Sequence, residues 1–112
     1  MSKDYVQMTK DLTAQLMDLR SVTPLKGFTE LASEGTKTGA LDEKTKEFIA
    51  LAIGVTQRCD ACIGFHVKKL VELGATKEEI AETLATCTYM GGGPALMYAA
   101  DAWKAYEQFS GK

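Results

Sequence analysis

Long apolar runs are missing from this 112-residue chain. None approaches the roughly 18 residues that a membrane-spanning helix requires, and the opening "MSKDYVQMTKDL" has no apolar core of a secretory leader. Both absences predict a soluble, cytoplasmic protein with no membrane partner. Cysteine is also scarce: three residues, an odd number, do not make the disulfide framework of a small secreted domain. An excess of positive charge is lacking too. Thirteen basic against fifteen acidic residues leave a net charge of -2, so no nucleic-acid partner is expected. Period-two alternation, internal repeats and low-complexity tracts are absent as well, which argues against a sheet.

What is present is ordinary for a globular domain: 46% hydrophobic and 25% charged residues. Residues 1–112 are expected to form a single domain. Tyr5, Met8, Leu12, Leu16 and Leu19 recur at helical spacing across 3–20, and Leu25, Phe28, Leu31 and Ala32 share one face of a short helix between Pro24 and Gly35. Asp42 is placed to cap a third helix over 43–57, whose "FIALAIGV" is apolar nearly all round. A fourth helix is expected over 60–73, ending at Gly74. Thr76 and Glu79 have the spacing of a capping box for a fifth over 77–90. "GGGP" then separates off a sixth, 94–109, with Trp103, Tyr98 and Tyr106 in a core or subunit interface. The reading is an all-α bundle of about six helices. Apolar helices in so small a chain leave faces for another subunit to cover, so a homo-oligomer is expected.

The chemistry concentrates in "RCDACIGFHV", residues 58–67. On a helix, Cys59, Cys62 and the chain's one histidine, His66, share a face. The pair falls near a helix N-terminus, where the macrodipole and free N–H groups stabilise a thiolate. His66, one turn beyond Cys62, is positioned to take or relay its proton, and Glu47 on the preceding apolar helix is the candidate to orient the imidazole. His66 at i+4 favours Cys62 as the attacking thiol, whereas helix-end exposure favours Cys59.

Competing readings are weaker. Cys59, Cys62, His66 and Cys87 nominally supply a zinc set, but Cys87 lies in the apolar "LATCTYM" and reads as a small hydrophobe. Neither a metal nor another cofactor is expected. "VELGATKEEIAETL" imitates a helix-turn-helix unit, yet Glu78, Glu79 and Glu82 would repel phosphates. A thioredoxin-like enzyme would need strands around its cysteine pair.

Glu47, eleven intervening residues, Cys59-Asp60-Ala61-Cys62, three residues and His66 resemble the Glu-x11-Cys-x-x-Cys-x3-His pattern of alkylhydroperoxidase D-like proteins, in the carboxymuconolactone decarboxylase superfamily. The resemblance covers about residues 40–109. It implies an all-helical fold assembling as trimers or hexamers, and a thiol peroxidase acting on hydroperoxides. In that reading Cys62 attacks the peroxide, Cys59 resolves the sulfenic acid to a disulfide, Glu47 and His66 relay the proton, and a dithiol or lipoyl-type reductant restores the thiols. One departure stands out. The better-known pattern has a histidine between the cysteines, where this chain has Asp60-Ala61. The negative charge of Asp60 beside the thiols opposes their ionisation. A general disulfide oxidoreductase and a Cys/His metal-binding oligomer without turnover are the alternative functions; lactone decarboxylation, which does not use this cysteine pair, is disfavoured.

Overall fold

The structure is a computed structural model and describes residues 3–111. It is all-α, with five helices: α1 (Tyr5–Val22), α2 (Lys26–Gly35), α3 (Glu43–Thr56), α4 (Asp60–Glu72) and α5 (Lys77–Ser110). Among the described residues, no helix is long and apolar enough to cross a membrane.

The helix starts follow the caps written in the sequence. Asp4, Asp42 and Thr76 each accept the backbone N–H three residues on, from Gln7, Thr45 and Glu79. At Thr76 the capping box is complete, with the Glu79 carboxylate taking the Thr76 N–H at 2.8 Å. α2 starts without a side-chain cap bond.

α4 lies at the centre, packed on α1, α3 and α5. It contributes Ile63, Val67 and Leu70 to a core completed by Tyr5, Leu51, Val55, Ile80, Leu84, Ala99, Ala102 and Tyr106. Alanines on the far half of α5 let it approach closely, and Tyr106 and the half-buried Tyr98 and Trp103 join that core.

The "GGGP" segment breaks the last helical stretch where the sequence puts the break, through a kink rather than a loop. Gly92 alone leaves helical geometry (φ 73°, ψ -157°), a conformation open to glycine, and the helix resumes at once. Pro94 falls in the first turn after this break, where its missing N–H costs no hydrogen bond. The two helices expected over 77–90 and 94–109 are thus the two halves of α5, on either side of the kink at Gly92. The apolar stripe of α1 is shorter than its spacing suggests: Tyr5 and Thr9 are buried, whereas Leu19 is exposed.

Among the described residues α2 packs on no other helix, and Phe28 and Leu31 stay 72% and 68% exposed. The radius of gyration, 14.2 Å, correspondingly exceeds the roughly 13 Å of a compact chain of this length.

Candidate active site

The turn between α3 and α4 sets the site. After Gln57, Arg58 adopts left-handed backbone (φ 59°), its N–H reaching the Val55 carbonyl at 3.1 Å and the Cys59 N–H the Gly54 carbonyl at 3.0 Å. This is a Schellman turn with arginine where glycine is the usual occupant. α4 ends on the same turn, there with Gly74 (φ 80°) and bonds to Val71 and Leu70.

Because the turn closes at Arg58, Cys59 becomes the N-cap of α4, and its sulfur accepts the Cys62 N–H at 3.2 Å. The two cysteines are joined as a disulfide, with Cα atoms 5.2 Å apart and both side chains half-buried. α3 presses closely on this bond. A Cβ on Gly54 would lie 3.0 Å from the Cys62 Cβ, so glycine is what lets α3 pass the cysteine pair.

One turn beyond Cys62, His66 meets Glu47 of α3, with Nδ1 and Oε2 2.7 Å apart. The carboxylate is shielded and the imidazole is not: their side chains are 7% and 31% exposed. With Nδ1 donating to Glu47, a neutral ring keeps Nε2 free to accept a proton. Glu47 and His66 are thus paired across the α3–α4 contact, and Cys59 and Cys62 are joined at the start of α4, one turn before His66.

Cys87 is elsewhere. It sits on α5, 2% exposed, with its thiol weakly donated to the Ala52 carbonyl, and burial pushes that thiol above its ordinary ionisation range. Two of the nominal zinc donors are engaged in the disulfide, and no group of three His, Cys, Asp or Glu among the described residues is placed to hold a metal ion.

Residues 24–105 match the Carboxymuconolactone decarboxylase family. The chain belongs to that family. A carboxymuconolactone decarboxylase family protein of Legionella pneumophila, solved in its apo form, overlays with a TM-score of 0.92 at 54% identity, covering 95% of this chain and 96% of that one. A Thermotoga maritima family protein, for which involvement in an antioxidative response has been suggested, overlays at 0.78 with 32% identity, covering 95% and 89%. By sequence, an uncharacterised protein of Cupriavidus necator is 35% identical over 104 residues, 85% of this chain and 92% of its own length.

In this carboxymuconolactone decarboxylase family chain, the surroundings of Asp60 escape sequence reasoning. Its Oδ1 accepts both the Lys3 ammonium and the Tyr5 hydroxyl, each at 2.9 Å. Lys3 also reaches Asp101 Oδ2 at 2.6 Å. Lys3 and Asp60 are 57 residues apart and Lys3 and Asp101 are 98, so no local pattern signals them. Arg58 was within reach of the sequence, since Gly74 directly follows "LVEL" at the end of α4, whereas no glycine follows Gln57 at the end of α3.

Proposed function

We propose that the protein is a thiol-dependent peroxidase that reduces hydroperoxides through Cys59 and Cys62. The observation carrying this reading is the cysteine pair at the N-terminus of α4, one turn from an imidazole that a shielded carboxylate orients.

In the dithiol form His66 takes the Cys62 proton, with Glu47 steadying the imidazolium. The Cys62 thiolate attacks one peroxide oxygen. The O–O bond breaks, the other oxygen leaves as alcohol or water with a proton returned by the relay, and Cys62 becomes a sulfenic acid. The Cys59 thiol attacks that sulfur, water departs, and the disulfide forms. A dithiol or lipoyl-type reductant then attacks Cys62 Sγ, displacing Cys59 as a thiolate, which the Cys62 N–H and the helix N-terminus stabilise. The reductant's second thiol attacks the mixed disulfide, leaving its own disulfide and the protein dithiol.

The family fold and the Thermotoga relative's suggested antioxidative role support this reading. A general disulfide oxidoreductase is the second reading, favoured by the half-buried, reachable disulfide. The uncovered face of α2 supports a homo-oligomer; the family resemblance suggests a trimer or hexamer, and a cytoplasmic setting is part of the same proposal.

Peroxide added to the reduced protein should remove two thiols per chain, reversibly with dithiothreitol, leaving Cys87 untouched. Cys62→Ser should abolish peroxide consumption, and Cys59→Ser should still form one sulfenic acid. Full turnover in both variants overturns the reading. Exchange with lipoamide, glutathione or thioredoxin-type donors but no response to peroxide selects the oxidoreductase.

A further inference from the structure

Asp60 presents an electrostatic problem that the fold resolves. It occupies the first turn of α4, between Cys59 and Cys62. A carboxylate there competes with a thiolate for the positive end of the helix, and a neighbouring anion raises the thiol pKa. Arg58, next to Cys59, is exposed to solvent, and Glu47 of α3 faces His66. The cation that meets Asp60 comes from outside both site helices, from Lys3 ahead of α1.

Lys3 is fastened from several sides. Gln108 of α5 clamps the backbone on either side of Asp4, donating to the Lys3 carbonyl at 2.9 Å and accepting the Tyr5 N–H at 2.8 Å. The ammonium bridges Asp60 and Asp101 and lies 5.0 Å from the centre of the Tyr98 ring. Tyr5, fully buried, adds its hydroxyl to the same Asp60 oxygen that Lys3 holds. The Asp101 hydrogen bond first, and Asp60 after it, keep Lys3 protonated well into the alkaline range against the opposing effect of burial. Burial and then Asp60 likewise hold the Tyr5 phenol protonated, so it remains a donor. This stitching spans α1, α4 and α5, which is more than anchoring a chain end requires.

We propose that Lys3, fixed by Gln108 and Asp101, is a positioning residue that compensates the charge of Asp60 and thereby lowers the ionisation pH of the Cys59–Cys62 dithiol. The inference rests on the thiol-redox reading above, but on the dithiol alone rather than on peroxide as its oxidant. Lys3 acts through Asp60 and need not touch a substrate.

The test is the pH–rate profile of iodoacetamide alkylation of Cys59 and Cys62 in the reduced full chain, resolved by peptide mass spectrometry. Lys3→Met is expected to move the profile up by about one pH unit, slowing alkylation at pH 7 about tenfold. Lys3→Arg should keep the wild-type profile. Asp60→Asn should move the profile down, and adding Lys3→Met to Asp60→Asn should change it little further. A purely structural role for Lys3 would shift both backgrounds alike and lower the melting temperature in both. An unmoved profile in Lys3→Met, or an equal shift with and without Asp60, overturns the proposal. No peroxide enters the assay, so a failure of peroxidase turnover leaves this result unaffected.

Discussion

Glu47 Oε2 lies 2.7 Å from His66 Nδ1 across the α3–α4 contact, joining a shielded carboxylate of α3 to the histidine one turn past Cys62. The pair explains why a charged residue is tolerated at a 5% exposed position: its hydrogen-bond partner replaces the water it has lost. It also makes the two residues separable by mutation. Glu47→Gln keeps an acceptor for Nδ1 but removes the charge. Stability should therefore hold while peroxide-driven disulfide formation slows about a hundredfold, the lower range for losing general acid–base assistance. His66→Ala leaves the Glu47 carboxylate buried and unpaired and should cost about 1–3 kcal/mol in urea unfolding as well. Unchanged oxidation kinetics in Glu47→Gln would remove the carboxylate from the relay.

Arg58 and Gly74 occupy equivalent positions in two Schellman turns, and only one of them is a glycine. Left-handed backbone costs a residue with a Cβ about 1–2 kcal/mol. Arg58→Gly should consequently raise stability by about 1 kcal/mol, while Gly74→Ala should lower it by a similar amount. Equilibrium denaturation of the two variants beside the parent checks both signs. A destabilised Arg58→Gly would mean that the arginine side chain contributes more than its backbone costs.

Acid stability should reflect two helix starts. The hydrogen bonds from Thr45 hold the Asp42 carboxyl below its ordinary 3.8, and the Lys44 ammonium, ahead of the Thr76 N–H, holds Glu79 below 4.5. A carboxyl lowered on folding contributes stability above its unfolded value, and that contribution fades as pH falls through the folded one. From these groups the protein should show no change between pH 7 and about pH 5, then lose stability below about pH 4.5. In Asp42→Asn with Glu79→Gln, the urea midpoint should fall less between pH 6 and pH 3 than in the parent. An equal fall would assign acid loss to other carboxylates.

Much of this architecture is legible because its determinants are local. Asp42, Thr76 and Gly74 mark helix ends through bonds spanning three to five residues, and Cys59, Cys62 and His66 share a face by helical period alone. Glu47 is legible one helix away because a carboxylate facing a core demands a partner. The Lys3–Asp60–Asp101 bridge was not legible: charged residues are common, and only the fold brings these three together. The sequence reading therefore assigned Asp60 an uncompensated charge. The break at "GGGP" was legible, because a glycine run ahead of proline marks a helix boundary; what the run does not show is that a single residue with positive φ makes the whole break.

The face of α2 supports the last prediction. Phe28 and Leu31 are largely exposed on a helix that packs on no other helix among the described residues, while Ile49, Ile53, Tyr89 and Met90 leave further apolar surface on α3 and α5. A short helix is marginal in water without tertiary packing, so α2 needs a surface to rest on. A second copy of the chain would supply one. If α2 docks there, burying Phe28 and Leu31 contributes about 1.5–3 kcal/mol per side chain. Phe28→Asp combined with Leu31→Asp should then weaken assembly at least a hundredfold, on the order of 3 kcal/mol or more. Sedimentation velocity at micromolar concentration should show the parent as an oligomer and the double variant as a monomer. The core transition of the variant should remain cooperative, because no core residue lies on α2. A parent that sediments as a monomer would leave the α2 face to some other partner and end the homo-oligomer reading.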